Sequence, residues 1–141
     1  MSENAKNGNG NGNGVMKGAI ISTDADFRRR LVAVFASDPG LRFALELDEP
    51  FTTITDSHLQ QLQEVDSDVV FVDLESDPHV GLKFAQFLMD SNLARVVVGA
   101  GSTDSPDLLI EAMQAGILEF LPRSLQTEKV EGLVGRLRKK T

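Results

Sequence analysis

The sequence predicts an α/β fold: five βα units, (βα)5, doubly wound into a five-stranded parallel sheet with helices on both faces. Three observations carry this expectation. Short apolar runs alternate with amphipathic stretches through the chain after residue 15. Two of the runs, "DVVFVD" and "RVVVGAG", are almost continuously apolar, as strands covered on both faces must be. Successive units are long enough to carry a helical crossover, the connection a parallel sheet needs.

The elements follow in order. Residues 1–15 are rich in Gly and Asn, cannot bury apolar surface and are expected to form a disordered tail, leaving 16–141 as one domain. "GAIIS" is the first strand. "DADFRRRLVAVFASD" then sets Phe27, Leu31, Val34 and Phe35 on one helical face. "LRFALEL" alternates as a half-buried strand should. "DSHLQQLQEV" places Leu59, Leu62 and Val65 on a helix capped by Asp56 or Ser57. "DVVFVD" is the third strand, "GLKFAQFLMDS" an amphipathic helix and "RVVVGAG" the fourth strand.

The next helix has the clearest punctuation. Ser105 can cap it, Pro106 suits its first position, Asp107 lies in its first turn and Gly116 sits just past its end. "ILEFLP" is a short fifth strand. The last helix carries Val130, Leu133, Val134 and Leu137 at i, i+3, i+4 and i+7.

Composition narrows the function classes. A length of 141 residues suits one domain with a real core. Hydrophobic residues make up 41% and charged residues 25%, ordinary values for a soluble globular chain. No apolar run approaches a membrane span, and no leader for secretion is readable. The absence of cysteine excludes disulfides and thiolate metal sites and fits a reducing cytoplasm. A formal charge of −7 argues against broad nucleic-acid binding. The basic clusters Arg28–Arg30 and Arg136, Arg138, Lys139 and Lys140 read as solvated helix faces.

In parallel α/β sheets ligands bind at the carboxyl ends of the strands, at the topological switch point. Asp73 closes the third strand and stands at that edge, with Gly81 eight residues on. These features, together with the block "EAMQAGILEFLPRS" carrying Ala112, Ala115, Gly116 and Phe120, make residues 17–139 resemble the receiver domains of two-component response regulators. The resemblance implies a flavodoxin- or CheY-like sheet of order 2-1-3-4-5. It also implies phosphoryl transfer to Asp73, helped by Mg²⁺ on an acidic pair after the first strand, a hydroxyl after the fourth and a lysine after the fifth. Metal and ammonium are needed there because a phosphoryl group and a carboxylate repel each other.

Several of those positions depart from the family pattern. Ser22 and Thr23 stand where the acidic pair belongs, leaving Asp24 either to reach a metal or to cap the first helix. The hydroxyl position falls at Gly101, with Ser102 as neighbouring candidate. Arg123 takes the lysine position, and Ser124 follows it instead of proline. Arginine keeps the charge but not the ammonium geometry. Mg²⁺ binding through Asp24 and Asp73 is therefore expected to be weak, with no other cofactor, and Asp73 is expected either to pair with Arg123 or to accept a phosphoryl group. His58 and His79 are read by default as solvated or capping, with His79 in the loop over Asp73 and an approach to the site as its alternative.

This eroded pattern is most similar to the N-terminal receiver domain of CpaE/TadZ-type pilus-assembly proteins. That resemblance implies a following ParA/MinD-like ATPase domain and a role at a cell pole. Helix four has more apolar positions than one core stripe needs. Leu109, Ile110 and Met113, with Phe120, are expected to form an interface on the helix 4–strand 5–helix 5 face, for a homodimer or another protein, with no nucleic acid and no membrane involved. Three functions remain open: a phosphorylation-independent interaction module, a phospho-switched regulator, and a pseudo-receiver binding an anion or nucleotide at Ser22, Thr23 and Ser102.

Overall fold

The structure is a computed structural model and describes residues 15–38, 40–101, 105–117 and 119–140. The Gly- and Asn-rich tail therefore lies, but for Val15, outside the described residues. The elements are β1 (Met16–Ile21), α1 (Ala25–Phe35), β2 (Leu41–Leu47), a 3-10 turn (Phe51–Thr53) and α2 (Asp56–Val65), followed by β3 (Val69–Asp73), α3 (Pro78–Asp90), β4 (Val96–Ala100), α4 (Pro106–Gln114), β5 (Glu119–Leu121) and α5 (Thr127–Lys140). The five strands are parallel and lie in the order β2-β1-β3-β4-β5. This is the doubly wound sheet that the alternating pattern predicts.

The period-2 alternation of β3 builds the core on both faces. Val69 and Phe71 pack with Phe27, Leu31 and Phe35 of α1 and with the apolar stripe of α5. Val70 and Val72 pack with Leu62 of α2, Leu82 and Leu88 of α3 and Ala112 of α4. Every residue of β3 is buried, which explains its unbroken apolar run. Gly81 is a packing residue: a Cβ there would meet Leu74 Cδ2 at 2.7 Å and Phe51 at 3.1 Å. A side chain there would require Leu74 and Phe51 to shift.

The caps explain where the helices start. Asp24, Asp77 and Ser105 accept from the backbone N–H groups of Phe27, Val80 and Leu108 at the heads of α1, α3 and α4. For α2 the cap is Thr55 rather than Asp56 or Ser57. Thr55 and His58 form a reciprocal capping box, with the Thr55 N–H donating to His58 Nδ1 at 2.9 Å. The sequence signal was missed because His replaces the usual Glu or Gln at the third position.

The two basic clusters are not merely solvated. Arg28 Nη1 donates to the Ser22 carbonyl at 2.7 Å, and Arg30 Nη1 to the Arg123 carbonyl at 2.9 Å. Arg136 Nε donates to Glu119 Oε1 at 2.7 Å, with Lys140 Nζ 3.7 Å from the other oxygen. Arg138 reaches Asp38 at 3.0 Å. The C-terminal run thus holds α5 against the sheet, and Glu119, only 5% exposed, is a buried carboxylate on a strand.

Candidate functional site

Parallel pairing brings the ends of β1, β3, β4 and β5 to one edge. Asp73 pairs in register with Ala100, and Ala100 with Leu121. Ser22 and Asp24 follow β1 there, Gly101 follows β4 and Arg123 follows β5. The site therefore joins Asp24 to Arg123, 99 residues apart in sequence.

Asp73 is buried and fully engaged. The Ser22 hydroxyl donates to Oδ2 at 2.6 Å, and the Glu75 N–H donates to Oδ1 at 3.0 Å. Arg123 Nη1 lies 2.8 Å from Oδ1. This last contact is an ion pair rather than a directed hydrogen bond, since Nη1 is buried and no acceptor lies along its N–H bonds. Ser22 itself is buried, and its Oγ also accepts from the Asp24 N–H at 3.1 Å.

Asp24 does two jobs. One oxygen caps α1 by accepting from the Phe27 N–H at 3.0 Å, and the other pairs with Arg123 Nη2. The Phe27 N–H holds its carboxyl below the ordinary range; burial opposes this, and the Arg123 charge adds to the lowering. The sequence left capping and reaching a metal as alternatives for Asp24. The structure shows the cap, and the second oxygen pairs with the Arg123 guanidinium.

Arg123 is in turn fixed from several sides. Its guanidinium carbon sits 4.3 Å from the centroid of the Phe27 ring, a cation–π contact. Its Nε is 4.0 Å from Glu75 Oε1. Two residues on, Leu125 is buried with φ +53°, a left-handed conformation unusual for a bulky side chain, in the turn that returns the chain to α5. Sequence reasoning missed the roles of Phe27, Glu75 and Arg30 here. Phe27 had been spent on the core stripe, and only the i+2 spacing of Glu75 from Asp73 could have pointed to it.

Thr23 is exposed, and its side chain lies on the wall of a cleft of about 230 Å³ beside Asp73. Glu49, Asp73 and Asp77 line this cleft with Ser22, Thr52 and Ser76, and among the described residues no basic side chain does. Such a lining disfavours an anion or nucleotide, so the pocket imagined around Ser22 and Thr23 has the wrong sign. Ser102 lies outside the described residues. Gly101 has φ +156°, a backbone conformation that L side chains rarely adopt, so the position itself resists a hydroxyl residue.

A receiver fold implies Mg²⁺, and the residues here do not fit it. Both carboxylates named for the metal, Asp24 and Asp73, face the Arg123 guanidinium, and hydroxyls replace the remaining acidic ligands. Among the described residues no three His, Asp or Glu side chains are arranged to hold a metal ion.

His79 is exposed and pairs with Glu111 rather than with Asp73. It lies on α3, and its Nδ1 is 2.8 Å from Glu111 Oε1 of α4, where it ties two helices together. On α4, Ile110 and Met113 are 54% and 59% exposed, while Leu109 and, on β5, Phe120 are half-buried. Among the described residues no helix is long and apolar enough to cross a membrane.

With strand order 2-1-3-4-5 and a carboxylate ending β3, the chain has the CheY-like receiver fold of response regulators, and its solved neighbours include signal receiver domains. A pilus assembly-related protein from Burkholderia pseudomallei superposes with TM-score 0.74 at 16% identity, over 90% of this chain and 92% of the other. The pilus assembly protein CpaE from Burkholderia thailandensis gives 0.70 at 17% identity, over 89% and 99%. The signal receiver domain of the response regulator NarL from Mycobacterium tuberculosis gives 0.72 at 17%, over 89% and 97%. At these identities the likeness is one of fold. By sequence, a protein-glutamate methylesterase/protein-glutamine glutaminase from Rhodopseudomonas palustris is 27% identical over 105 residues, 74% of this chain. The chain spans about 28% of the length of the curated relatives it matches. No family model matches.

Proposed function

We propose that this chain is a receiver-fold interaction module that acts by binding protein partners and works without phosphorylation of Asp73. The observation that carries the proposal is the bridge of Arg123 between Asp24 and Asp73. Phosphoryl transfer to a carboxylate needs a diffusible metal and an open face, and here the carboxylate is already neutralised by a tethered guanidinium and a buried hydroxyl. The module has no enzymatic activity of its own on this reading and operates in the cytoplasm.

The binding face is that of α4, β5 and α5, centred on Ile110 and Met113, and its partner is a second copy or another domain. Two neighbours from pilus assembly support a role in placing such machinery, with a ParA/MinD-like ATPase region in the same native chain as the expected companion.

The alternative, a phospho-switched regulator, is favoured by one feature: Asp73 borders an open cleft. Amide NMR on residues 15–141 separates the two, with Mg²⁺ added first and beryllofluoride second. An unchanged spectrum is expected. Shifts around Asp73 that require both additions and spread into α4 would overturn the binding-module reading and make Asp73 a phosphoryl acceptor.

A further inference from the structure

The two flanks of α3 differ. On one, His79 pairs with Glu111 and Met89 lies against Gly116, so this flank is closed by α4 and the turn after it. On the other, the Phe84 ring stands between Phe51 and Phe87, with centroids 5.4 and 6.1 Å away. Phe51 and Phe84 are half-buried, whereas Phe87 is 43% exposed. Among the described residues it is the one large apolar side chain exposed outside α4. One turn on, α3 closes at Asn92, whose φ of +58° lets the Asn92 and Leu93 N–H groups donate back to the Met89 and Leu88 carbonyls at 3.1 and 2.8 Å. That closure returns Leu93 to the core on the side of Leu59 of α2.

Leu59 and Leu93, both half-buried, line a groove of about 570 Å³ between α2 and this turn. The amides of Gln60, Gln63 and Asn92 stand on its walls. Its charge has one sign. Asp56 lines it, Glu64 stands beside it at 3.5 Å from Gln60 Nε2, and Asp90 ends α3 just before it. No cation lines the groove among the described residues, and α2 carries no Lys or Arg. We propose that this groove docks an amphipathic helix of another protein, its apolar anchors seated on Leu59, Leu93 and Phe87 and its lysines or arginines facing Asp56, Glu64 and Asp90. The apolar floor beside α2 suits anchors spaced by one helical turn, and the acidic rim selects a cationic flank. A second copy is the wrong occupant, because a two-fold contact would set each acidic rim against its own image. The proposal adds a surface to the binding-module reading and does not depend on the state of Asp73.

The probe is a synthetic amphipathic helix of about four turns made of leucine and lysine, with glutamate in place of lysine in its control. Amide NMR should show shifts gathered at residues 56–63 and 87–93 with the cationic helix and none with the acidic one. Phe87→Ser should weaken binding by about tenfold or more, as loss of a central anchor does. Asp56→Asn with Glu64→Gln should weaken it by about three- to tenfold and flatten its dependence on salt. All three side chains are exposed, so the variants keep the fold, and the amide spectrum of each reports this directly.

Shifts centred on Ile110 and Met113, or on the cleft beside Asp73, overturn the proposal. So does binding that Phe87→Ser leaves intact, and so does an unshifted spectrum at about 1 mM peptide. Self-association that is lost in Phe87→Ser overturns the choice of occupant and gives the groove to a second copy. None of these results touches the beryllofluoride outcome, so the two proposals fail separately.

Discussion

The Arg123 guanidinium lies over the Phe27 ring at 4.3 Å, and Phe27 in turn sends its backbone N–H to the carboxylate that Arg123 grips. One α1 residue thus supports the arginine with its ring and orients Asp24 with its main chain. The first prediction concerns that pair. A double-mutant cycle of Phe27→Leu and Arg123→Met, read by urea unfolding, should give a coupling of about 0.5–2 kcal/mol. Additive effects would mean that the ring merely fills space.

Glu119 and Arg136 give an asymmetric prediction. Removing Arg136, which is half exposed, leaves a buried carboxylate with only Lys140 at 3.7 Å. Removing Glu119 instead returns two exposed cations to water. Arg136→Met should therefore cost about 2–3 kcal/mol and Glu119→Gln about 1 kcal/mol. Both variants should speed amide exchange over residues 135–140. The reverse order of costs would contradict the burial argument.

Acid unfolding tests Asp24. Its carboxyl is held below the ordinary value of about 3.9 in the folded chain. The unfolded chain therefore takes up this proton first. The stabilisation is present above about pH 4 and is lost as pH falls through the depressed folded value. Since the side chain is 42% exposed, the effect is modest. The stability gap between wild type and Asp24→Asn should be constant from about pH 7 to 5 and shrink below about pH 4. A gap that widened in acid would reverse the assignment.

The α4 surface is tested by Ile110→Asp with Met113→Asp. Both side chains are more than half exposed, so the folded monomer should keep its stability within about 0.5 kcal/mol. Sedimentation should then show loss of self-association relative to wild type. A double variant that associates as strongly as wild type would place the contact elsewhere.

The sheet was legible because apolar runs and alternation record burial directly, and β3 and β2 show the two extremes. The position of Asp73 was legible for the same reason, since a strand's polar end is visible in the chain. The grip of Arg123 on Asp24 was not, because it joins residues 99 apart through side-chain reach rather than periodicity. Glu119 shows another limit. Strand alternation buries it beside Leu121, and only the three-dimensional return of α5 supplies the cations that make this tolerable. His79 is exposed, as its default reading has it, but its partner Glu111 was not legible because it sits on another helix, α4, while His79 lies in the first turn of α3.

The backbone at Gly101 sets a threshold for anyone wishing to turn this chain into a phosphate-accepting switch. Carboxylates at 22 and 23 and a lysine at 123 are exchanges of side chains on an existing frame. A threonine at 101 is a different kind of change, because at φ +156° a side chain strains the main chain itself. The fourth edit is therefore architectural, and the three simple ones gain little without it.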